Sequence, residues 1–489
     1  MNETIPHWLE KQNELNPEHV AIEQPDGFSM SFSKLRNESR NLAENLITLG
    51  VKEGDHVALL MHNQIEFPVF IHSLSYIGAT AVLLNTRLTA AEIAFPLSDA
   101  DVSWFFAGEG LLEKAEQARQ ASQVIPEGRL LKVDDIPIRK AETLDLKKEI
   151  HLDQVFTMMY TSGTTGNPKA VMHTYGNHWF SAVASALNLG VQPEDKWLLC
   201  LPMFHVGGFS VLMKSVIYGI TVSLIERFDA PVINREIRNN RITHISVVTL
   251  MLQRLLEDLK DDFYPNTFRC MLLGGGPVPE TLLRKAELKS VPVFQTYGMT
   301  ETSSQIATLN PSAAMKKLGS AGKALTPAEV IVEADGPNEV GEILVKGPMV
   351  SKGYYNHTPL NKEYLRTGDL GYKDDEGFLY VVDRVKDVII SGGENIYPAE
   401  LESVLSDFPG VKEAGVTGIS DETWGEVPAA FLVPEEGVTI HSEDVAEFCE
   451  ERLAKYKIPK AFFILAQLPR NASNKLLRRE LFSALEKEN

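Results

Sequence analysis

The chain has 489 residues, of which 44% are hydrophobic, and 66 acidic against 47 basic residues give it a formal net charge of −19. This length provides for two to four domains with a buried core, at about 150 residues per domain. An aromatic content of 8%, with 34 glycines and 26 prolines, disfavours disorder, collagen and coiled coil. The negative charge argues against general binding to nucleic acid or anionic membranes, because its field repels polyanions.

Cysteine spacing and hydropathy narrow the class further. The three cysteines, Cys200, Cys270 and Cys449, lack the close spacing of a thiolate metal site and exclude a disulfide framework. The first residues are polar and acidic, without the basic start and apolar run of a secretory signal, so we expect a cytoplasmic protein. The most apolar window, 67–85, is interrupted by polar residues and predicts a helix, a glycine and a strand. We therefore expect no stable membrane insertion.

The first half of the chain alternates strand and helix patterns. Leucines at helical spacing end at Gly50, and a second helical pattern ends at Gly78. Each is followed by a short apolar run of strand length, and this order predicts βαβ units in a parallel sheet covered by helices. We expect one large α/β body up to about residue 310. Its predicted helices are 35–49 and 65–77, and its predicted strands are 57–61, 80–84, 197–201, 220–225, 245–248 and 270–273.

The pattern changes twice in the second half. Short β runs at 329–333 and 342–345 predict a β-rich lobe, and after Asp383 a helix–strand alternation predicts a small α+β domain. The fold class is therefore α/β, with parallel-rich sheets, covering helices and the β-rich lobe in an N-terminal domain, 1–384, and a small mobile α+β C-terminal domain, 385–489. The elements predicted for the small domain are helices 399–405 and 442–455 and strands 429–433 and 461–465.

The most informative segment runs from Thr157 to Lys169, where an apolar strand enters a loop of hydroxyls and glycines that a lysine closes. Glycines let backbone amides approach phosphate oxygens, hydroxyls donate further hydrogen bonds, and the lysine supplies positive charge. The loop is not a Walker A sequence, because two residues separate Gly166 from Lys169. It predicts a phosphate-binding loop, with an ordinary polar turn as the less favoured alternative. Its candidate ligands are Thr161, Ser162, Gly163, Thr164, Thr165 and Lys169.

This loop, Tyr160-Thr-Ser-Gly-Thr-Thr-Gly-Asn-Pro-Lys169, resembles the signature loop of the adenylate-forming superfamily. That superfamily includes acyl-CoA synthetases, firefly-luciferase-like enzymes and the adenylation domains of peptide synthetases. Further motifs follow in the superfamily's order, so the resemblance covers most of the chain from 157 to 475. Ala170 and Asp383 depart from it, since glycine is usual there. The motifs are Tyr297-Gly-Met-Thr-Glu301, Arg366-Thr-Gly-Asp369, Asp383-Arg-Val-Lys386, Ser391-Gly-Gly-Glu-Asn395 and Asn474-Lys475.

The resemblance implies a nucleotide site. In such a site Tyr297 stacks on adenine, Thr300 binds the α-phosphate, and Glu301 coordinates Mg²⁺, a hard ion that prefers carboxylate oxygen. Asp369 accepts the ribose hydroxyls, and Arg384 is a second ribose or phosphate ligand. Without the neighbouring motifs, a buried tyrosine, a solvated glutamate and a capping aspartate are the ordinary interpretations of such residues.

Other residues receive implied roles in the same way. Lys386 matches the hinge about which the superfamily's small domain rotates, and Lys475 matches its catalytic lysine. Composition alone favours a solvated charged face for the segment around Lys475, and we expect Arg478 and Arg479 at the surface. A glycine-rich turn after the strand 270–273 is as common in plain structure as in a site, and the resemblance has it line the adenine and acyl pockets. These glycines are Gly274, Gly275 and Gly276.

The implied reaction has two steps. A carboxylate attacks the α-phosphorus of ATP in the presence of Mg²⁺, pyrophosphate leaves, and the thiol of coenzyme A then displaces AMP from the acyl-adenylate. The barrier of the first step is largely electrostatic, because a weak anionic nucleophile approaches a polyanion. Lys475, Glu301 with Mg²⁺, and the loop 161–169 are expected to neutralise the developing charge. The partners are therefore small molecules: ATP, coenzyme A and an organic acid.

Four stretches, 175–190, 201–208, 214–219 and 469–477, look like the branch of the superfamily that activates o-succinylbenzoate (2-succinylbenzoate) for menaquinone biosynthesis. This acid carries an aromatic ring and a second carboxylate, so its pocket needs apolar walls and one cationic or strong donor group. Phe204, His205 and Lys214 are candidates, together with Gly298. A satisfied core histidine and a surface lysine are equally good interpretations of two of them.

Alternatives remain open at this stage. Another aryl- or fatty-acyl-CoA ligase shares the chemistry and differs only in the pocket. A stand-alone adenylation enzyme that loads a carrier protein needs that carrier as a separate partner. A nucleotide-binding protein without catalysis is disfavoured, because every charge-bearing position holds a competent residue. A homodimer is a further open possibility, although no residue argues for it.

Overall fold

The computed structural model describes residues 3–136, 146–161, 168–276, 278–357, 363–391, 394–421, 424–450, 452–471 and 475–488. Internal contacts divide the chain into two compact units that are interleaved in sequence. The boundary predicted between residues 384 and 385 stays a prediction. The first unit comprises 1–276, 282–330 and 345–365, and the second comprises 277–281, 331–344 and 366–489.

The elements up to residue 324 are mostly short strands and helices of two to five turns. The helices are α1 (Trp8–Leu15), α2 (Phe32–Leu49), α3 (Glu66–Ile77), α4 (Ala90–Asp99), α5 (Leu112–Ser122), α6 (Tyr175–Leu189), α7 (Val206–Tyr218), α8 (Ala230–Asn239), α9 (Thr249–Leu259), α10 (Glu280–Leu288) and α11 (Pro311–Ala314). The strands are β1 (Thr4–Pro6), β2 (Val20–Glu23), β3 (Ser29–Ser31), β4 (His56–Leu60), β5 (Thr80–Leu83), β6 (Trp104–Ala107), β7 (Leu130–Lys132), β8 (Glu149–His151), β9 (Val155–Thr161), β10 (Lys169–Thr174), β11 (Lys196–Leu199), β12 (Thr221–Leu224), β13 (His244–Val247), β14 (Cys270–Leu273), β15 (Val293–Met299), β16 (Ser304–Leu309) and β17 (Ser320–Ala324).

Two parallel-rich sheets organise the first unit. One has six strands in the order β10-β9-β5-β4-β6-β7, parallel except for the β9–β10 hairpin. The other follows the order β17-β16-β15-β14-β13-β11-β12-β2-β3, in which the six strands from β15 to β2 are parallel. Strands β1 and β8 form a separate antiparallel pair.

The predicted βαβ unit is confirmed. Helix α2 ends at Gly50 and α3 ends at Gly78, and both glycines adopt positive φ angles of 110° and 82° that end a helix readily. Strands β4 and β5 on either side of α3 pair in parallel. They are buried along nearly their whole length, as expected of a parallel sheet covered by helices. The core includes Phe67, Phe106 and Phe209.

The second unit carries the predicted α+β domain. Its strands β18 to β21 are neighbours in sequence order, and a separate sheet has the order β23-β22-β25-β24 with β26 beside β25. Helix α12 packs into the apolar core of this sheet through Leu401 and Leu405. The elements are β18 (Glu329–Glu333), β19 (Gly341–Lys346), β20 (Leu365–Lys373), β21 (Leu379–Arg384), β22 (Ile389–Ser391), β23 (Glu394–Ile396), α12 (Pro398–Ser406), β24 (Val411–Asp421), β25 (Gly425–Pro434), α13 (Ser442–Glu450), β26 (Ala461–Ile464) and α14 (Leu481–Glu488).

Two details of this unit differ from the prediction. The helix predicted at 442–455 is too long: α13 ends at Glu450, and Ala454 is extended (φ −62°, ψ 145°) before a 3₁₀ turn at Lys455–Lys457. Strand β24 was not predicted, because its glycines and charges hide the alternation of buried side chains. Among the described helices of the whole chain, none has the length and apolar character needed to cross a membrane.

Candidate active site

The candidate site of the first unit lies where parallel strands end. Strands β11, β13, β14 and β15 run in parallel, so the segments that follow them emerge at the same edge of the sheet. This is the edge at which open α/β sheets bind ligands. It collects three predicted sets of residues, namely Phe204 and His205, the glycines from Gly274 to Gly276, and the segment from Tyr297 to Glu301.

Bare backbone is required at Gly298, and the space or the backbone conformation favours glycine at Gly274 and Gly275. A Cβ atom on Gly298 would lie 2.1 Å from the carbonyl oxygen of Ser304, and one on Gly274 would lie 3.0 Å from Cγ2 of Thr296. Gly275 adopts a φ of 92°, which side chains rarely tolerate. Gly276 has open space around its Cα atom. The glycines therefore serve close packing first, and the backbone they expose is available to a planar ligand.

The β9–β10 hairpin holds the two ends of the predicted phosphate loop together. Thr161, the last residue of β9, pairs directly with Lys169, the first residue of β10. The loop residues Ser162, Gly163, Thr164 and Thr165 lie outside the described residues, so their predicted role remains a prediction. The hairpin fixes the two described ends of the loop at the end of a buried strand.

Lys169, Tyr354 and Glu301 form a line of contacts beside this hairpin. The ammonium nitrogen of Lys169 lies 5.3 Å from the ring centroid of Tyr354, within cation–π range. The hydroxyl of Tyr354 donates a hydrogen bond of 2.8 Å to Oε1 of Glu301. Burial, followed by the charge of Glu301, raises the pKa of Tyr354. Tyr354 thus stays protonated and acts as a permanent donor to the buried carboxylate.

The backbone of Thr300 is held from the side of β10. Nε2 of His173 lies 2.6 Å from the carbonyl oxygen of Thr300, and burial lowers the pKa of His173 to about 4. A neutral imidazole with its proton on Nε2 is the tautomer that can donate to this carbonyl. Nδ1 then faces the hydroxyl of Thr157 at 3.4 Å, and the same hydroxyl lies 3.0 Å from Nε2 of His178. A buried neutral histidine therefore ties Thr300 to the phosphate-loop strand.

The turn that follows Glu301 is strained. Ser303 and Ser304 have φ angles of 55° and 120°, which non-glycine residues rarely adopt. Hydrogen bonds hold the turn: the hydroxyl of Ser303 donates to the carbonyl of Met349 at 2.9 Å, and that of Ser181 donates to the carbonyl of Ser303 at 2.8 Å. Such strain is typical of functional sites.

Glu301 fits the requirements of Mg²⁺ bound through a nucleotide. Glu301 is only 6% exposed, and no described residue donates a hydrogen bond to its second carboxylate oxygen, Oε2. Mg²⁺ is commonly held by one or two carboxylates together with phosphate oxygens and water. Among the described residues there is no cluster of three or more histidine, cysteine, aspartate or glutamate side chains that could bind a metal alone. A single buried carboxylate near the predicted phosphate loop agrees with Mg²⁺ held by one carboxylate together with phosphate oxygens and water.

Phe204 and His205 lie in the segment between β11 and α7. Phe204 is buried, and its ring packs at 4.7 Å against that of the half-buried His205, which precedes the first turn of α7. Asn63 fixes this segment, since its amide donates to the carbonyl of Leu201 and accepts from the amide of Met203. The two aromatic side chains are thus positioned at the carboxyl edge of the strands.

Lys214 is placed differently from these residues. It lies nine residues after His205 on α7, an axial distance of about 13 Å, and it faces Trp197 near the start of β11. The residue is 1% exposed, and Nζ has no hydrogen-bond partner among the described residues. Nζ lies 4.5 Å from the Trp197 ring centroid, and burial lowers the pKa of Lys214 to about 8. The interpretation as a surface lysine is wrong.

In the second unit, Asp369 and Arg384 lie opposite each other on β20 and β21. Their backbones are register partners, and Nε of Arg384 lies 2.8 Å from Oδ1 of Asp369. The side chain of Asp369 is largely buried, while that of Arg384 is about one third exposed. The pair presents a carboxylate and a guanidinium side by side, the residue types that bind ribose hydroxyls and phosphate.

Lys386 and Lys475 lie in two further segments of this unit. Lys386 is half exposed and lies two residues after the end of β21, consistent with a connecting segment. Lys475 closes a short loop whose stem pairs Arg470 with Leu476. The amide of Lys475 donates to Oδ1 of Asn471 at 2.9 Å, and the amide of Asn471 donates back to the carbonyl of Lys475. These two hydrogen bonds with Asn471 hold the backbone of Lys475.

Of the two arginines predicted at the surface, Arg478 and Arg479, only the second lies there. Arg479 is exposed, as predicted, with 71% of its side chain accessible. Arg478 is not at the surface: its guanidinium is 19% exposed and contacts carboxylates of Asp387 and Glu402. The prediction for Arg478 is wrong because acidic side chains that are distant from it in sequence, Asp383, Asp387 and Glu402, meet around it.

Sequence reasoning missed two residues of the site. Tyr354 follows Gly353 in a polar segment and carries no motif signal beyond an aromatic residue after glycine. His173 sits inside the apolar strand β10, where a histidine is ordinarily a core residue. Both act through partners more than 50 residues away in sequence, Glu301 and Thr300, and such pairs become visible only in the folded chain.

Comparison with known proteins identifies the family. Residues 9–355 match the model of the AMP-binding enzyme family, and residues 400–475 match that of the AMP-binding enzyme C-terminal domain. The chain therefore belongs to the AMP-binding enzyme family. This result confirms the resemblance to adenylate-forming enzymes and the α/β fold class with a large N-terminal and a small C-terminal domain.

Individual relatives are similar over their full length. The 2-succinylbenzoate–CoA ligase of Oceanobacillus iheyensis is 49% identical over 488 residues, 98% of this chain and 100% of that protein. A solved structure of o-succinylbenzoate CoA synthetase from Bacillus subtilis with the acyl-adenylate intermediate OSB-AMP is 46% identical, with a TM-score of 0.92 and 98% of each chain covered. The same synthetase with ATP and magnesium ion gives the same identity and TM-score, over 98% of this chain and 100% of that one.

Proposed function

We propose that this enzyme ligates 2-succinylbenzoate to coenzyme A at the expense of ATP, through an acyl-adenylate, and releases AMP and pyrophosphate for menaquinone biosynthesis. Full-length relatives at 46–49% identity carry this activity in their names. The synthetase from Bacillus subtilis has been solved both with OSB-AMP and with ATP and magnesium ion. ATP, Mg²⁺ and coenzyme A are accordingly the cofactor and co-substrates of this proposal.

In the first step, the acid's carboxylate attacks the α-phosphorus of ATP. Thr161, Lys169 and the loop between them would bind the phosphates, and Glu301 would hold Mg²⁺, which would supply positive charge beside them. Tyr354 holds Glu301, and His173 holds the backbone of Thr300, whose hydroxyl we assign to the α-phosphate. Prearranged donors and cations lower the barrier because they need no reorganisation when negative charge develops.

The second unit supplies further groups. Asp369 accepts the ribose hydroxyls, Arg384 orients Asp369 and is available to ribose or phosphate, and Lys475 neutralises charge in the adenylation transition state. Lys386 remains our candidate for the hinge. In the second step the thiol of coenzyme A attacks the acyl carbonyl, and AMP leaves with both electrons of the acyl–oxygen bond. Tyr297 and the glycines from Gly274 to Gly276 bind the adenine in this proposal.

One observation supports the proposal that the substrate is a dicarboxylate. The ammonium of Lys214 is buried and has no hydrogen-bond partner among the described residues. The ring of Trp197 offers this buried cation a π face but no hydrogen-bond acceptor, and a ligand carboxylate would supply one. Nζ lies 4.5 Å from the ring centroid of Trp197, so a ligand that reaches it must extend from Phe204 and His205 along α7. We assign the carboxylate that does not react to Lys214, and the aromatic ring to Phe204, His205 and the backbone at Gly298.

A panel of acids tests this function through pyrophosphate release. We expect activity with 2-succinylbenzoate and much less with 3-benzoylpropionate, which lacks only the ring carboxylate, or with fatty acids. Preference for monocarboxylates would instead support another aryl- or fatty-acyl-CoA ligase. Free coenzyme A and a carrier protein, compared as acceptors with the same adenylate, separate the ligase from a carrier-loading enzyme. A cytoplasmic location and a homodimer stay proposals, and sedimentation of the purified protein tests the second.

A further inference from the structure

Arg478 lies three residues after Lys475 and is the centre of an acidic cluster within the second unit. Its Nη2 lies 2.7 Å from Glu402 on α12, and its Nη1 lies 2.9 Å from Asp387 and 3.9 Å from Asp383. Nε makes a further bond of 3.0 Å to Glu402. One planar guanidinium thus contacts the helix and both ends of the segment that contains Lys386.

Two of the three carboxylates of this cluster, Asp383 and Glu402, also accept hydrogen bonds from backbone amides. Asp383 accepts the amide of Ala399, in the first turn of α12, at 2.8 Å and the amide of Arg384 at 2.7 Å. Glu402 accepts the amide of Val416 on β24 at 2.9 Å. Burial raises the pKa of both carboxyl groups. Their orientations are therefore fixed by backbone donors, which leaves the guanidinium of Arg478 little freedom.

The chain between Lys475 and Arg478 is short and held at both ends. The amide of Leu477 donates to the carbonyl of Pro469 at 2.9 Å, which closes the stem of the loop. The side chain of Leu476 packs into the apolar core formed by β25, β26 and α14. A shift of Arg478 is therefore transmitted to Lys475 through only two intervening residues.

We propose that Arg478 is a positioning residue that couples the loop of Lys475 to the hinge segment 383–387, so that the two hold one fixed arrangement within the second unit. This inference rests on the proposed function, because it assumes that Lys475 acts in the adenylation step. It adds a residue to that function: Arg478 sets where Lys475 stands relative to Arg384 and Lys386, and it acts on the reaction only through them.

A purely structural role for the same cluster predicts something different. If Arg478 only stabilises the fold, its loss lowers the melting temperature and reduces both half-reactions in proportion to the folded fraction. If it positions Lys475, the adenylation rate per folded molecule falls, while thiol transfer from preformed adenylate and the KM for ATP change little. The ratio of the two half-reactions therefore distinguishes the two roles.

Three substitutions and one control make the test. Arg478→Lys keeps the charge but removes the forked geometry, and Arg478→Gln removes the charge. Asp387→Asn weakens only the contact to the hinge segment and keeps the test valid should Arg478→Gln fail to fold. Arg479→Gln is the matched control, because it changes the neighbouring exposed arginine, whose carboxylate contact is Glu480 at 3.8 Å.

Pyrophosphate release and thiol transfer are measured separately on each full-length variant, with folded fractions from circular dichroism. We expect adenylation kcat to fall about 10-fold or more in Arg478→Gln and several-fold in Asp387→Asn, with partial rescue in Arg478→Lys and no change in Arg479→Gln. Equal changes in both half-reactions, or wild-type adenylation in Asp387→Asn and Arg478→Lys, would overturn the inference. A wild-type protein without adenylation activity would refute the proposed function instead.

Discussion

The hydroxyl of Tyr354 donates a hydrogen bond of 2.8 Å to Oε1 of the buried Glu301. The next residue, Tyr355, makes an equally short bond, but its partner is Asp101. Two adjacent tyrosines with the same chemistry thus serve different carboxylates, and only one of these carboxylates is the proposed ligand of Mg²⁺. The pair provides a direct test of how Glu301 is held.

We expect Tyr354→Phe to raise the Mg²⁺ concentration needed for half-maximal pyrophosphate release and to lower kcat/KM for ATP by about 10- to 100-fold. Hydrogen bonds to charged groups contribute about 1.5–3 kcal/mol, and without this donor the carboxylate can turn away from the metal. Tyr355→Phe, which leaves Glu301 untouched, should keep the wild-type Mg²⁺ dependence. Equal Mg²⁺ dependence in both variants would contradict the assigned role.

Substitution of Lys214 by methionine tests the pocket. The change keeps an unbranched side chain and removes the charge, so kcat/KM for 2-succinylbenzoate should fall by on the order of 100- to 1000-fold, the scale of a broken buried ion pair. Activity with 3-benzoylpropionate should be unchanged or increased, because that acid has no second carboxylate. The two acids are compared by pyrophosphate release. A parallel loss with both would indicate a structural lysine.

The same lysine predicts a dependence on pH. Burial lowers the pKa of Lys214 to about 8, below its ordinary value of 10.5. The ammonium therefore loses its proton as the pH rises through about 8, and its attraction for a carboxylate is lost above that value. Since kcat/KM reports ionisations of the free enzyme, it should decline above about pH 8 for 2-succinylbenzoate. A profile that is identical in Lys214→Met would assign the decline to another group.

Removal of the Lys475 side chain should separate the two steps of the reaction. We expect Lys475→Ala to lower adenylation by on the order of 100- to 1000-fold, the usual effect of losing one group that stabilises transition-state charge. Thiol transfer from chemically prepared adenylate should be largely retained. Lys412→Ala, an exposed lysine of the same unit, serves as the control. Unchanged adenylation in Lys475→Ala would remove its catalytic role.

Asp369 offers a test of ribose binding. Asp369→Asn keeps the size of the side chain but weakens both its pair with Arg384 and its acceptance of ribose hydroxyls. The dissociation constant of ATP should rise roughly 10-fold, since charged acceptors make hydrogen bonds about twice as strong as neutral ones. Calorimetric titration with ATP measures this change. Asp375→Asn, at an exposed neighbouring position, should bind ATP as the wild type does.

Local patterns explain why much of the fold was predictable. The helices that end at Gly50 and Gly78 and the strand at 270–273 are encoded by side-chain periodicity and glycine within short windows. Strand β24 was missed because half of its alternating pattern consists of glycine, alanine and charge. The length of α13 was overestimated because helical periodicity continues past the extended residue Ala454.

The site was predictable where motifs carry it and unpredictable where distant residues meet. Glu301 and Lys169 were found from their motifs, but Tyr354, which connects them, is contributed by a segment about 50 residues beyond Glu301. The burial of Lys214 and of Arg478 depends on tertiary packing around each side chain, whereas a sequence only shows a lysine in a helix and an arginine in a basic run. The burial of these two side chains is therefore determined by contacts between residues that are distant in sequence.

In the proposed adenylation step, the acid's carboxylate attacks the α-phosphorus of ATP. Incubation of the enzyme with 2-succinylbenzoate labelled with ¹⁸O in the succinyl carboxylate, ATP, Mg²⁺ and coenzyme A tests it directly, with mass spectrometry of the released AMP. We expect one ¹⁸O atom in each molecule of AMP, because the acyl–oxygen bond breaks when the thiol attacks. Unlabelled AMP, or release of ADP and phosphate in its place, would contradict it.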